Sequence, residues 1–258
     1  KARGLLDEPA FAWWCPYVLK KNRYISSKVK ARRVTHKMGI ELPRSVEHAL
    51  ELDKKNGNDE WEKAINKEST NVRPAFDILP EGEVAPINYT KSSVHMVFDV
   101  KMDFTRKARL VKDGHKTEDI HISNYAGVVS RESVRIAFTY AALNGLDVWA
   151  ADIQNAYLQA PTSEKHYIIC GREFGIENVG RVAIICRALY GGKLAGRDYW
   201  KHMRAFMNSL GFVPSKGDPE VWMREAVTED GHEYWEYVLL YVNDCLVISH
   251  RGKFVLKE

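Results

Sequence analysis

Residues 234–248 read YWEYVLLYVNDCLVI. The segment Tyr234–Val242 and the run Cys245–Ile248 are rich in apolar, β-branched and aromatic side chains, so both predict strands. Asn243-Asp244 between them is typical of a turn, which predicts a tight hairpin. A carboxylate at such a tip serves either the turn or a ligand, and Asp244 alone does not decide between the two.

A second carboxylate, Asp152, closes the short apolar segment 147–152, which predicts a buried strand. At a strand end an aspartate can hold a hard cation such as Mg²⁺, or it can cap the turn that begins at Ile153. The presence of both Asp152 and Asp244 favours a metal site over two separate turns. Two-metal nucleotidyl transfer needs carboxylates from a strand end and a neighbouring hairpin, holding two cations about 3.5–4 Å apart.

Strands and helices alternate along the rest of the chain from residue 74 onward. Val94–Val100 and Ala108–Val111 predict a hairpin across Asp103-Phe104-Thr105. Helices are predicted from Ser45, from Trp61 to a point before Pro74, from Ser130 to Gly145 with Phe138 and Ala141 in its apolar stripe, and from about Gly196 to Leu210.

Charge and composition restrict the class of protein. The chain has 258 residues, of which 45% are hydrophobic and 28% charged, which is ordinary globular usage. No apolar run approaches the roughly 18 residues of a membrane span. Residues 1–44 hold eleven Lys and Arg against three acidic residues, so they carry +8 while the remainder carries −4. Such an arm indicates contact with a polyanion or, equally well, a solvated linker.

The four cysteines are Cys15, Cys170, Cys186 and Cys245. Their spacing excludes a zinc finger or ribbon. Isolated cysteines inside apolar runs suit a reducing compartment. We therefore expect an intracellular protein of the cytoplasm or nucleus, without a secretion signal or membrane contact.

Several ordered motifs resemble one family. Tyr241-Val-Asn-Asp244 resembles the Tyr-x-Asp-Asp box of reverse transcriptases, and Asp152 with Ala156-Tyr157 resembles their first carboxylate motif. The version found in Ty1/copia retrotransposons accounts for more of the chain, and the agreement runs from about Trp61 to Ser249. It includes Lys107-Ala-Arg-Leu-Val111 with Gly114, Tyr125 with Val128-Val-Ser130 and Arg135, Ala188-Leu-Tyr-Gly-Gly-Lys193 with Arg197 and Trp200, Gly211-Phe212, and Asp218-Pro219.

The resemblance implies an α+β right-hand polymerase fold with fingers and an antiparallel palm sheet, the thumb being absent or truncated. It implies a basic pre-domain segment over residues 1–58, partly helical or disordered, and fingers and palm over residues 59–258. The reaction it implies is templated addition of deoxynucleotides to a primer, on RNA or DNA. Two Mg²⁺ ions are expected for this reaction, with Mn²⁺ as a possible substitute. The oligomeric state is left open.

The site residues also follow from the resemblance. Asp152 and Asp244 would be the metal carboxylates, with Asn243 beside them at a catalytic position. Lys107 and Arg109 would contact phosphates, and the backbone of Asn155 and Ala156 would face the triphosphate. Tyr157 would lie under the incoming sugar, and Gly191 and Lys193 complete the substrate-binding set. The alternatives are a core position for Tyr157 and a solvated strand face for Lys107 and Arg109.

Three positions depart from the family pattern. Asn243 stands where the family has its first aspartate, and an amide oxygen brings no negative charge to a cation. Gly192 and Leu194 replace the usual Leu and Gln, which we expect to loosen packing near the template. The sequence therefore predicts a degenerate polymerase. The alternatives are a catalytically dead remnant that binds nucleic acid, and a fragment with no stable fold.

Overall fold

The computed structural model describes residues 35–117 and 122–258. Most of the basic arm, residues 1–34, lies outside the described residues. Helices and several sheets alternate, which confirms the α+β class. The strands are β1 (His36–Lys37), β2 (Ile40–Glu41), β3 (Phe76–Ile78), β4 (Thr90–Lys91), β5 (Val94–Val100), β6 (Arg106–Lys112), β7 (Asp147–Asp152), β8 (His166–Ile169), β9 (Val182–Ile185), β10 (Val213–Pro214), β11 (Val221–Val227), β12 (Glu233–Tyr241) and β13 (Asp244–Ser249). The helices are α1 (Val46–Asn56), α2 (Glu60–Val72), α3 (Arg131–Asn144), α4 (Ala156–Gln159), α5 (Ala195–Ser209) and α6 (Gly252–Val255).

The largest sheet has five strands in the order β10-β11-β12-β13-β7, each antiparallel to its neighbour. Successive side chains of a strand point to opposite faces. One face packs on α3, where Ala141 meets Leu239 and Ile248. The other packs Trp222 against Met207 of α5. β12 and β13 are thus covered on both faces, as their apolar sequences predict.

β7 has the predicted bounds but is not a buried strand. It lies at the edge of the five-stranded sheet, where β13 is its partner. Val148 is 38% exposed and Trp149 40%. An apolar run can belong to an edge strand as well as to a central one, and periodicity does not separate the two.

The turn of the β12–β13 hairpin is shifted by one residue from its predicted place. Val242 and Asn243 form it, and Asp244 already belongs to β13, paired with Tyr241. Val242 adopts a φ of 55°, which is rare for a β-branched residue. The pairing of β13 with β12 therefore fixes the direction in which the Asp244 side chain points.

The predicted helix α3 begins and ends where its caps indicate. The Ser130 hydroxyl accepts from the Ser133 backbone N–H, and Gly145 follows in the left-handed conformation. Its apolar stripe is only partly buried, because Ala141 faces the core whereas Phe138 is 49% exposed.

The β5–β6 hairpin packs on α2. β5 has the predicted bounds, whereas β6 extends beyond the predicted segment Ala108–Val111 at both ends. The Trp61 ring meets Phe98 edge to face, with centroids 5.6 Å apart. The Glu68 carboxylate accepts a hydrogen bond of 2.9 Å from the Leu110 backbone N–H. Hairpin and helix therefore form one unit through both apolar and polar contacts.

α1 and α2 form a packed pair that spans the boundary predicted between residues 58 and 59. The buried carboxylate of Asp53 on α1 accepts from the backbone N–H groups of Trp61 (3.2 Å) and Glu62 (2.8 Å) at the start of α2. Ala49 and Leu52 share a core with Trp61. The order of the chain therefore extends upstream of residue 59.

The base of the β5–β6 hairpin is held against the loop before α5. The Lys112 backbone N–H donates to the Tyr190 carbonyl at 2.7 Å. Gly191 has a φ of +84°, and a Cβ added to it would lie 2.2 Å from the Lys112 carbonyl oxygen. Only glycine allows this approach.

A buried polar cluster adjoins this contact. The Lys112 ammonium lies 3.0 Å from a Glu164 carboxylate oxygen and 2.7 Å from His166 Nδ1. A Cβ on Gly192 would lie 2.9 Å from Glu164 Oε2, and Leu194 is 3% exposed. The space beside Gly192 is therefore filled by the Glu164 side chain, and Leu194 belongs to the core. The expected loosening of the packing near the template stays a prediction.

We predict that Gly191→Ala destabilises the fold by about 3 kcal/mol or more, since it combines backbone strain with a backbone clash. Gly57→Ala is the matched control. Gly57 also has a positive φ, but an added Cβ there meets nothing within 4 Å, so we expect a loss of about 1 kcal/mol. Urea unfolding of both variants measures the difference, and equal losses would contradict the close approach.

We also predict that stability falls as the pH is lowered from 7 to 5. Burial, helped by the Lys112 ammonium, holds the pKa of His166 below its ordinary value. The unfolded chain then binds this proton at higher pH than the folded one, so stability is present above about pH 6.5 and is lost as the pH falls. His166→Gln should flatten the pH dependence of the melting temperature, and an unchanged slope would contradict this role.

Candidate active site

Two carboxylates meet at one end of the five-stranded sheet. Asp152 ends β7 and Asp244 begins β13, and they are direct partners in the antiparallel register. Directly opposite residues point to the same face, with Cβ atoms about 4.5–5.5 Å apart. Both side chains are exposed. The Ile153 backbone N–H donates to the Asn243 carbonyl at 2.7 Å, which fixes the turn of one strand against the end of the other.

Asn243 completes this group. It is half-buried, and its side-chain amide donates a hydrogen bond to Asp152 Oδ1. The amide therefore supplies the polar hydrogen that offsets part of the charge of Asp152.

A cleft of about 490 Å³ lies between Asp152 and the β5–β6 hairpin, whereas Asp244 lines a neighbouring cavity and not this cleft. Five of the predicted site residues line it. Lys107 and Arg109 come from β6, Asp152 and Asn155 from the end of β7 and the turn after it, and Asn243 from the β12–β13 turn. The fold thus brings together residues that are far apart in the sequence.

The charges of the cleft are mostly positive. The basic residues of its lining outnumber the acidic ones; the basic ones are Lys67, Lys101, Arg106, Lys107 and Arg109, and the acidic ones are Glu68 and Asp152. Burial, together with the neighbouring Arg109, lowers the pKa of Lys107. Burial raises the pKa of Glu68, against the hydrogen bond from Leu110 and the nearby cations. Cationic side chains that share a cleft with the Asp152 carboxylate suit a ligand that carries phosphates and a divalent cation.

An aromatic row connects the β5–β6 hairpin to α5. The Arg109 guanidinium lies 5.0 Å from the centroid of the Tyr190 ring, a cation–π distance. Tyr190 in turn packs on Tyr157, with centroids 4.9 Å apart, and Tyr157 meets Tyr199 at 5.7 Å. Burial raises the pKa of Tyr190, so its ring stays neutral beside Arg109.

Tyr157 and Ala156 lie beside the cleft and do not form its wall. Tyr157 is half-buried and packs against a small core that contains Ala156, itself 2% exposed. Asn155, just before α4, has a φ of 53°. This left-handed residue turns the chain from β7 into α4 at the edge of the cleft.

Two further predicted substrate-binding residues do not line the cleft. Gly191 serves the close contact with Lys112, as described above. The Lys193 ammonium donates to the Thr117 carbonyl at 2.9 Å, on the loop that follows β6. The motif that contains both residues therefore contributes to the cleft through Leu189 and Tyr190.

Tyr190 and Glu68 are cleft residues that we did not assign from the sequence. Tyr190 lies within the motif 188–193, in which the sequence analysis assigned only Gly191 and Lys193 to substrate binding. Glu68 occupies the same helical stripe as Trp61 and Ile65, so an acidic residue at an apolar position was the available signal.

The oxygen donors fit one hard cation better than a dedicated metal cage. Asp152 and Asp244 can both reach toward one ion on the shared face, and Asn243 offers a neutral oxygen after rotation of its amide. Within the described part of the chain, no group of three or more His, Cys, Asp or Glu side chains is placed to hold a metal ion. A third carboxylate is what such a group would need.

The helices give no indication of a membrane-spanning segment. Across residues 35–117 and 122–258, none is long and apolar enough to cross a bilayer. α5, the longest of those described, has 15 residues.

Comparison with known proteins shows which family this sequence matches. Residues 81–257 match the family described as "Reverse transcriptase (RNA-dependent DNA polymerase)". The retrovirus-related Pol polyprotein from transposon RE2 of Arabidopsis thaliana is 25% identical over 205 residues, covering 75% of this chain and 13% of that protein. The corresponding polyprotein from transposon TNT 1-94 of Nicotiana tabacum is 28% identical over 156 residues, covering 58% and 11%. That from transposon RE1 of Arabidopsis thaliana is 28% identical over 149 residues, covering 56% and 10%. This chain thus spans about a tenth of the length of the curated relatives it matches.

Proposed function

The chain belongs to the reverse transcriptase (RNA-dependent DNA polymerase) family, and from this we propose that it is the polymerase domain of a copia-type retroelement with a damaged metal site. In this proposal the five-stranded sheet is the palm and the β5–β6 hairpin part of the fingers. The substrates are a template–primer and deoxynucleoside triphosphates. Residues 1–58 precede the domain as a basic segment, of which α1 already packs on α2.

One observation carries the proposal. Asp152 and Asp244 are register partners at the end of β7 and β13, and Asp152 lines the cleft that also holds Lys107 and Arg109. A carboxylate pair for Mg²⁺ and a cationic wall for phosphates are the two parts that nucleotidyl transfer requires.

The roles follow from position. Lys107 and Arg109 bind the triphosphate, Arg109 with a guanidinium oriented by the Tyr190 ring. Asp152 and Asp244 hold Mg²⁺, which when bound favours ionisation of the primer hydroxyl and offsets charge on the leaving pyrophosphate. The backbone at Asn155 and Ala156 borders the phosphates. Tyr157 lies beside the cleft wall and would limit the space for a ribose hydroxyl through the Tyr190 ring, against which it packs.

Asn243 explains why we propose a degenerate site. Its amide donates to Asp152, so this carboxylate is already partly satisfied and a cation must displace or rearrange that contact. An amide in place of a carboxylate also removes one negative charge that would hold the ions. The same hydrogen bond supports the second candidate function, a catalytically dead domain that still binds nucleic acid.

We predict that Asn243→Asp increases both Mg²⁺ binding and primer extension. Three carboxylates repel without a cation, so the variant should melt below the parent chain in EDTA. Mg²⁺ at about 100 times its Kd should then raise its melting temperature by about 5–10 °C. Extension on an RNA template should rise by roughly 10² or more.

Asn208→Asp is the control for the added charge, because Asn208 is exposed on α5 outside the cleft lining. Its melting temperature should not depend on Mg²⁺ more than that of the parent. A parent chain that matches Asn243→Asp in Mg²⁺ response and extension rate would show that the amide is an adequate ligand. An Asn243→Asp variant with neither gain would contradict the metal site.

We further predict that template–primer affinity falls steeply with salt. Cationic side chains on phosphates release counterions, so Lys107→Gln and Arg109→Gln should each weaken binding and reduce the slope of log K against log salt by about 1. Lys91→Gln, an exposed β4 residue outside the cleft lining, is the matched control. Fluorescence anisotropy between 50 and 200 mM salt measures this, and equal slopes in all three variants would identify Lys107 and Arg109 as solvated surface only.

A further inference from the structure

The tip of the β5–β6 hairpin exposes two large apolar side chains. Met102 is 87% exposed and Phe104 is 58% exposed. Both lie in the three-residue loop between Lys101 and Thr105, where the Lys101 backbone N–H donates to the Thr105 carbonyl at 3.0 Å. An aromatic ring held in water at the end of a projecting hairpin contributes little to the fold.

Phe104 is also conformationally costly at this position. Its φ is 63°, and its backbone N–H donates to the Lys101 carbonyl at 2.9 Å. This pattern is a turn followed by a left-handed residue, a position that glycine prefers. A bulky residue with positive φ is strained, and strained residues concentrate at functional surfaces.

The surroundings of the tip are cationic and continuous with the cleft. Lys101, Thr105, Arg106 and Lys107 all line the cleft that holds Asp152. The Arg106 guanidinium donates a hydrogen bond of 2.5 Å to the Phe104 carbonyl, which ties the backbone of Phe104 to one of these cations. The Arg106 guanidinium is held 5.7 Å from the Trp61 ring centroid, which fixes one of these charges in place.

We propose that Phe104, with Met102 beside it, is a stacking platform for an unpaired base of the template strand on its way into the cleft. This inference rests on the proposed function and adds to it a contact with single-stranded nucleic acid. Single-strand sites combine cations that follow the phosphates with exposed aromatic rings on which bases stack. The charge complementarity of Lys101, Arg106 and Lys107 favours a phosphate-bearing partner over an apolar protein segment.

The test compares two duplexes of a DNA primer and an RNA template. One is blunt and the other has a six-nucleotide unpaired 5′ extension of the template. We expect the parent chain to bind the extended duplex more tightly. Phe104→Ala should weaken binding of the extended duplex about tenfold and leave the blunt duplex unchanged, whereas Phe104→Trp should preserve both.

Stability gives a second readout with the opposite sign. Phe104→Gly removes the strain together with the ring, so its melting temperature should rise by about 2–4 °C while its affinity for the extended duplex falls. Met38→Gly is the matched control. Met38 is an exposed turn residue with a φ of 53°, and its replacement should raise the melting temperature without changing either affinity.

A positional probe completes the design. Template with 5-iodouracil at the first unpaired position should crosslink under irradiation to a peptide that contains Phe104. Affinities that Phe104→Ala leaves unchanged, or crosslinks only to other peptides, would overturn the inference while nucleic-acid binding stands. If the chain binds neither duplex, the proposed function fails and the inference fails with it.

Discussion

Asp152 and Asp244 lie directly opposite each other on neighbouring antiparallel strands, and like charges in such a pair repel. The register of β7 against β13 leaves them no way to separate, because a shift of one residue would turn every side chain of β7 to the other face. The repulsion must be offset by something that lies at the end of the sheet. In this chain the Asn243 amide offsets part of the repulsion by donating a hydrogen bond to Asp152.

The side of the cleft formed by the β5–β6 hairpin depends on a different kind of constraint. The β5–β6 hairpin carries its cations toward the carboxylates only because its base is fixed, and two features fix it. Gly191 lets the backbone of the neighbouring loop approach Lys112 closely, and the Lys112 side chain is buried against Glu164 and His166. A buried ion pair is weak evidence for stability but can specify one arrangement over another. Here the ion pair of Lys112 and Glu164 selects the position of β6.

Local signals predicted most of the fold. Ser45 and Ser130 cap α1 and α3 through hydrogen bonds to residues three positions ahead, so both helix starts are visible in the sequence. The cap of α2 is not visible, because Asp53 supplies it from the preceding helix, whereas Asp59 at the helix start makes no side-chain capping bond. The same distinction holds at the site. Asp152, Asn243 and the β6 cations follow from motifs, but the places of Gly191 and Lys193 depend on which loops meet in three dimensions, which spacing along one chain does not encode.

The separation of β7 from its partner also has a consequence for synthesis. Asp152 and Asn243 are 91 residues apart, and a ribosome adds about 5–20 residues per second. β7 therefore waits on the order of 5–20 s before β13 is made, with Val148 and Trp149 uncovered and its backbone groups unpaired. During that interval α3, made just before β7, is the nearest apolar surface. The carboxylate pair thus forms only after the β5–β6 hairpin has already been completed.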